Sequence, residues 1–148
     1  MTTALLWAGK PAKVQTLINE YRHHDGFDTV TLGPLALSLM RTVVLCDSDL
    51  DNEDREVLRA FDKVNRLSIV DFEDAAPAVR ERFSKRVNQL LDGMDLLIEA
   101  KDSDSRLSIY GDEKNGVIRN CILFDPDGTL ICISGKVFLD KLMDAVHD

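Results

Sequence analysis

Between residues 94 and 134, apolar and polar side chains alternate with period two through four consecutive segments, at 94–101, 106–111, 116–124 and 129–134. Successive residues of a strand point to opposite faces, so the pattern reads as four strands, and connections this short join neighbours as an antiparallel meander. The strongest stop is Asp125-Pro126-Asp127-Gly128, where Pro fixes φ and Gly accepts left-handed geometry. The hairpin it closes is apolar on both sides: Ile122, Phe124 and Leu130 alternate with Leu123, Ile131 and Ile133. A strand solvated on one face carries apolar residues at one parity only. Either the chain's own helices cover both faces, or the second face meets another chain or a ligand.

The first half of the chain supplies the helices. Val14, Leu17, Ile18 and Tyr21 fall at helical spacing after Pro11, which suits a first turn, and Gly26 ends the segment. Residues 27–32 alternate as a strand, and Pro34 opens a second helix with Leu35, Leu39, Met40 and Val43 on its buried side. Asp51 or Asn52 caps a third helix bearing Val57, Leu58, Phe61 and Val64, and residues 67–72 form another strand. Asp74 caps the longest helix, with Val79, Phe83, Val87, Leu90 and Leu91 on one side and Gly93 as its stop. Leu139, Leu142, Met143 and Val146 predict a last helix. The expected fold is a single α+β domain over residues 1–148, a mainly antiparallel sheet with its four-strand meander at about 94–134 packed by amphipathic helices. Residues 1–10 read as an N-terminal arm or the stump of a signal peptide.

Charge narrows the partners. The chain carries 26 acidic and 18 basic residues, a net charge of −8, so its average field repels nucleic acids and anionic lipid surfaces. The densest basic group, Arg80, Arg82, Lys85 and Arg86, lies on the longest predicted helix and reads as its solvated side. No run approaches the ~20 apolar residues that cross a bilayer as a helix.

The motifs that carry chemistry are weak. Asp47-Ser48-Asp49-Leu50-Asp51-Asn52 opens like a calcium loop, but the sixth place holds Asn52 instead of Gly and the twelfth Leu58 instead of Glu. Asp102, Asp104, Asp125 and Asp127 read as turn residues. His23 and His24 are adjacent and diverge on a helix, which denies them a shared metal. No Ser or Cys stands in a nucleophile-elbow setting, and no cofactor is implied. Asp71 with Glu73, and Glu99 near Lys101, are the carboxylates placed to line a pocket for acid/base or metal chemistry. Cys46, Cys121 and Cys132 form no CxxC pair. With a one-residue bulge at Gly128, Ile122 faces Cys132 and Cys121 faces Ile133, which puts the sulfurs on opposite sides, and without it the two are directly opposed; either way two buried, unreactive thiols are expected.

Several stretches together resemble a Bacteroidetes family known as domain of unknown function 4252. They are the Val14 to Tyr21 helix leading into Gly26-Phe27 and Val30-Thr31-Leu32, Leu67-Ser68-Ile69-Val70-Asp71-Phe72-Glu73, Met94-Asp95-Leu96-Leu97-Ile98-Glu99-Ala100-Lys101-Asp102, Leu107-Ser108-Ile109-Tyr110, Gly116-Val117-Ile118-Arg119 and Leu130-Ile131-Cys132-Ile133-Ser134-Gly135-Lys136. The resemblance implies an exported or envelope-associated α+β domain and carries over no catalytic residues. It implies a periplasmic, secreted or lipid-anchored protein if an export leader has been removed, and a cytoplasmic one otherwise.

The expectation is a non-enzymatic binding or protein-interaction module of the bacterial envelope, meeting a protein partner or a second copy through Leu123, Ile131 and Ile133. The alternatives are a weak metal-dependent or acid/base enzyme using Asp71, Glu73 or Glu99, and a regulatory partner of a signalling or transcription component.

Overall fold

The computed structural model describes residues 2–45, 59, 61–101, 106–138 and 140–141. In chain order these form α1 (Thr2–Tyr21), β1 (Asp28–Leu32), α2 (Pro34–Leu45), β2 (Lys63–Asp71), α3 (Pro77–Leu91), β3 (Leu96–Lys101), β4 (Arg106–Lys114), β5 (Val117–Asp125) and β6 (Thr129–Phe138). The strands make one six-stranded sheet in the order β1-β2-β6-β5-β4-β3, with every neighbouring pair antiparallel. The four predicted strands of the meander are all present, on consecutive places.

Local chemistry sets the turns. Asn115 and Gly116 both adopt left-handed backbone (φ 57 and 81) between the paired residues Lys114 and Val117, which is the geometry that matches the twist of two strands joined by two residues. At the β5–β6 turn the Asp125 carboxylate accepts from the Asp127 N–H at 2.9 Å, and the Asp125 carbonyl accepts from the Gly128 N–H at 3.1 Å. Gly128 itself is not left-handed, contrary to the sequence expectation. It is required for closeness: a Cβ there would stand 3.0 Å from Glu73 Cα, and the Gly128 carbonyl accepts from the Phe72 N–H at 2.8 Å.

α3 carries the chain from β2 to β3, four strand spacings away, or ~19 Å. Its 15 residues give a rise of ~22 Å, enough to cross the sheet in one pass. It starts at Pro77 with Ala76 before it and no side-chain cap, so the expected cap at Asp74 is corrected. Pro has no N–H to satisfy in the first turn, which removes part of the need for a capping carboxylate.

α1 and α3 cover one face of the sheet. Val14, Leu17, Ile18 and Tyr21 from α1 and Phe83, Val87 and Leu91 from α3 pack on Val70, Phe72, Ile122, Phe124, Leu130 and Cys132. Phe83 is the hub of the aromatic packing, with ring centroids 4.8 Å from Phe72, 4.9 Å from Tyr21 and 5.1 Å from Phe27, all edge-on. Such pairs add ~0.5–1.5 kcal/mol each beyond burial. Ser68, fully buried under α1, donates to Gln15 Oε1 at 2.9 Å and lies 3.3 Å from Thr31 Oγ1, so its hydroxyl is satisfied. Arg86 of α3 pairs with Glu20 of α1 and Arg80 donates to the Glu73 carbonyl at 3.2 Å.

α2 lies on the other face, where Leu37 joins Val64, Ile118, Cys121, Ile133 and Val137 in a second core. The predicted buried side of α2 is corrected: Leu35 is 76% exposed and Leu39 60%, while Leu37 is buried. α2 is apolar on nearly every side, so periodicity alone had no polar face to exclude. Val64 belongs to β2, which starts four residues before the expected strand, and Phe61 lies in the turn before it. Val57 and Leu58 of the third predicted helix, the loop at 47–52, Asp102, Asp104, Cys46 and the last predicted helix from Leu142 onward lie outside the described residues. α1 is helical from Thr2, so residues 2–10 continue it through Pro11.

Candidate functional site

On the face that carries α2, the register lines up one aliphatic residue from every strand. Val30 opposes Ile69, Ile69 opposes Ile131, Ile131 opposes Leu123, Leu123 opposes Ile109 and Ile109 opposes Ile98. This row runs from edge to edge of the sheet. Its ends are open, Val30 at 51% and Ile98 at 37% exposure, and its four central members are half-buried. Leu123 and Ile131, two of the three apolar residues singled out from the sequence, are a directly opposed pair at its centre. The third, Ile133, sits one row over among Leu67 and Cys121 and is buried in the second core.

The next row on the same face is acidic. Asp28 opposes Asp71, Asp71 opposes Thr129 and Thr129 opposes Asp125, which places three carboxylates along one border of the aliphatic row. Asp71 and Asp125 each accept a backbone N–H from two residues on, Glu73 at 3.1 Å and Asp127 at 2.9 Å, a geometry that holds the carboxylates at the rim.

The strand carboxylates do not converge. Asp71 ends β2 and Glu73 lies in the turn after it, whereas Glu99 is on edge strand β3, four strands away, and opposes Ser108 of the other face. Arg106 donates from Nε and Nη2 to Glu99 Oε1 at 2.8 and 2.7 Å, and Lys101 Nζ lies 3.8 Å from the same oxygen. Glu99 is thus held in an exposed ion pair on the edge. Among the described residues no three His, Cys, Asp or Glu side chains are grouped to hold a metal. His24 instead stacks on Tyr21 at 4.6 Å between ring centroids.

The two described cysteines follow the parity argument. Cys121 opposes Ile133 and Cys132 opposes Ile122, so the thiols stand on opposite faces of the sheet, free and buried. Burial, with the neighbouring Cys132 charge adding to it, pushes the Cys121 thiol up to about 12. Burial pushes Cys132 up to about 11, with Arg66 partly opposing. Neither forms the thiolate a nucleophile needs near neutral pH.

Val30, Ile69, Ile109 and Ile98 complete a surface that the sequence reading did not assemble. Each strand's alternation carried the signal, but which residues stand side by side depends on β2 pairing with β6, a contact between segments some 65 residues apart.

The family model described as Domain of unknown function (DUF4252) matches residues 21–145. No curated protein and no solved structure matches the chain. The matched stretch contains all the strands of the sheet together with α2 and α3, and so the whole aliphatic row, and leaves out all of α1 but Tyr21. The chain therefore belongs to the family described as Domain of unknown function (DUF4252).

Proposed function

We propose that this protein is a non-enzymatic interaction module whose α2-bearing sheet face binds a partner protein through a segment with aliphatic side chains bordered by lysine or arginine. The observation that carries the reading is the aliphatic row from Val30 to Ile98 with Asp28, Asp71 and Asp125 along its border. An apolar strip supplies burial, and the carboxylates favour a cationic flank over a neutral or acidic one. The net charge of −8 steers a basic partner toward the molecule in the same sense. The resemblance to small exported proteins and lipoproteins supports an envelope setting for that partner.

The test uses two labelled synthetic peptides, one alternating leucine with lysine and one alternating leucine with glutamate, titrated with the protein by fluorescence anisotropy. The lysine peptide is expected to bind, to weaken several-fold between about 50 and about 300 mM salt, and to lose at least about tenfold in affinity in Val30→Lys with Ile98→Lys, both at open positions. Equal binding of the glutamate peptide, or full binding by the double variant, would remove the reading. Solution scattering showing a dimer that the double variant dissolves would assign the face to a second copy instead.

A further inference from the structure

On the opposite face, beyond the reach of the helix-covered core, the register builds a different row. Asp112 of β4 opposes Arg119 of β5, Arg119 opposes Lys136 of β6, and Lys136 opposes Lys63 of β2. Three cations on three adjacent strands span ~10 Å, comparable to the Debye length at physiological ionic strength, so they repel one another directly. Like charges opposed across a strand pair destabilise a sheet. Lys114 and Asn115 of the β4–β5 turn and the opposed pair Val117 and Phe138 complete a cleft of about 420 Å³ around them. That volume lies within the ~300–1,000 Å³ of small-molecule sites.

The row is built by irregularities in the strands. Asn120 takes left-handed backbone (φ 57) at the register shift between Arg119 and Cys121, and a second shift falls between Val64 and Arg66. At the first, Asn120 alone stands across from Ser134 and Gly135, at the second Asn65 is extra on β2, and the alternation of β5 and of β2 reverses beyond these points. Ile118 and Val64 thereby stay in the second core with Val137, and their neighbours Arg119 and Lys63 turn to the face of Lys136. Gly135 (φ +114) admits this approach, since a Cβ there would come within 2.9 Å of Val64 Cα.

Four cations thus meet one carboxylate, Asp112, in a chain of net charge −8. Among the described residues none of the four makes an ion pair, unlike Arg86 with Glu20 or Lys101 and Arg106 with Glu99. Of the nearby carboxylates, Glu113 accepts from the Gly116 N–H at 2.8 Å, and Asp62 and Asp140 line an adjoining cleft with Arg59 and Lys141 that shares Lys63 and Phe138 with this one. We infer that this cleft binds a small, multiply charged organic anion, its phosphate or carboxylate groups on Arg119, Lys136 and Lys63 and its carbon skeleton against Phe138 and Val117.

Inorganic pyrophosphate and citrate separate the two anion chemistries, and calorimetric titration with thermal melting reads each against the intact chain. At least one of them is expected to bind and to raise the melting temperature. Lys136→Gln and Arg119→Gln are each expected to weaken that binding at least about tenfold, while raising the melting temperature of the free protein by relieving repulsion. Lys85→Gln, an exposed change of equal charge on α3, is expected to leave binding as it was. Binding of neither anion, equal binding by Lys136→Gln, or an equal loss in Lys85→Gln would overturn the assignment. None of these outcomes bears on the aliphatic face.

Discussion

The two faces of the sheet are made from the same strands and finished differently. One is sealed by α1 and α3 over an aromatic cluster in which Phe72 and Phe83 are fully buried. The other carries aliphatic residues of similar hydrophobicity, yet Val30, Ile98, Leu35 and Leu39 remain open. The sealing helices have polar outer sides to give to water, whereas α2 is apolar almost all round. The difference teaches that an apolar strand parity need not be core: it becomes core only where an amphipathic element has its stripe to lay on it.

The comparison breaks first if the faces respond alike to truncation. Phe83→Ala should cost about 3–5 kcal/mol, because it removes a ring packed on three others, and Ile131→Ala about 1–2 kcal/mol, because that side chain is only half-buried. Denaturant unfolding of both variants measures the gap, and equal losses would mean that the aliphatic face is as fully packed as the aromatic one.

The buried thiols sharpen the comparison through pH, one from each face. Their folded-state pKa values, about 12 for Cys121 and about 11 for Cys132, lie above the ordinary 9.0. Between those values the folded state holds protons that the unfolded state has lost, so their stabilising contribution is fully present below about pH 9 and disappears as pH rises. The loss approaches ~1.4 kcal/mol per pH unit for each thiol. Unfolding measured at about pH 8 and about pH 10 should show a smaller decline in Cys121→Ser and in Cys132→Ser than in the parent. Identical declines in all three would assign the alkaline loss to other groups.

The smallest effect concerns the edge. Glu99→Gln removes an exposed ion pair with Arg106 and Lys101, and should lower stability by no more than about 1 kcal/mol in a thermal melt at low salt, less at high salt. A loss of several kcal/mol would give Glu99 a structural weight that its position on β3 does not provide.

Much of the candidate site was legible residue by residue. The alternation around Leu123 and Ile131 identified a second apolar face, whereas the parity of Cys121 and Cys132 hung on the length of one turn, and the register of β5 with β6 chose the arrangement on opposite sides. Asp71 with Glu73, and Glu99 with Lys101, were paired by strand spacing; β2 ends at Asp71, which leaves Glu73 in the turn, while Glu99 and Lys101 do meet, in an ion pair with Arg106 on the edge strand. The cationic cleft was illegible, because Lys63, Arg119 and Lys136 stand 73 positions apart at the extremes and two register shifts reverse the parity that alternation predicts.

By itself the amino-acid order determined what is local: the meander, its turns, the stripes of α1 and α3, and the face each regular strand residue takes. Those follow from backbone dihedrals and from periods of two and 3.6, which act over a few residues. Only the tertiary structure decided that β2 lies beside β6, which side of α2 is buried, and which aliphatic and basic residues become neighbours. Pairing between distant segments is chosen by the burial and hydrogen bonding of the whole sheet, and no short window of sequence contains that sum.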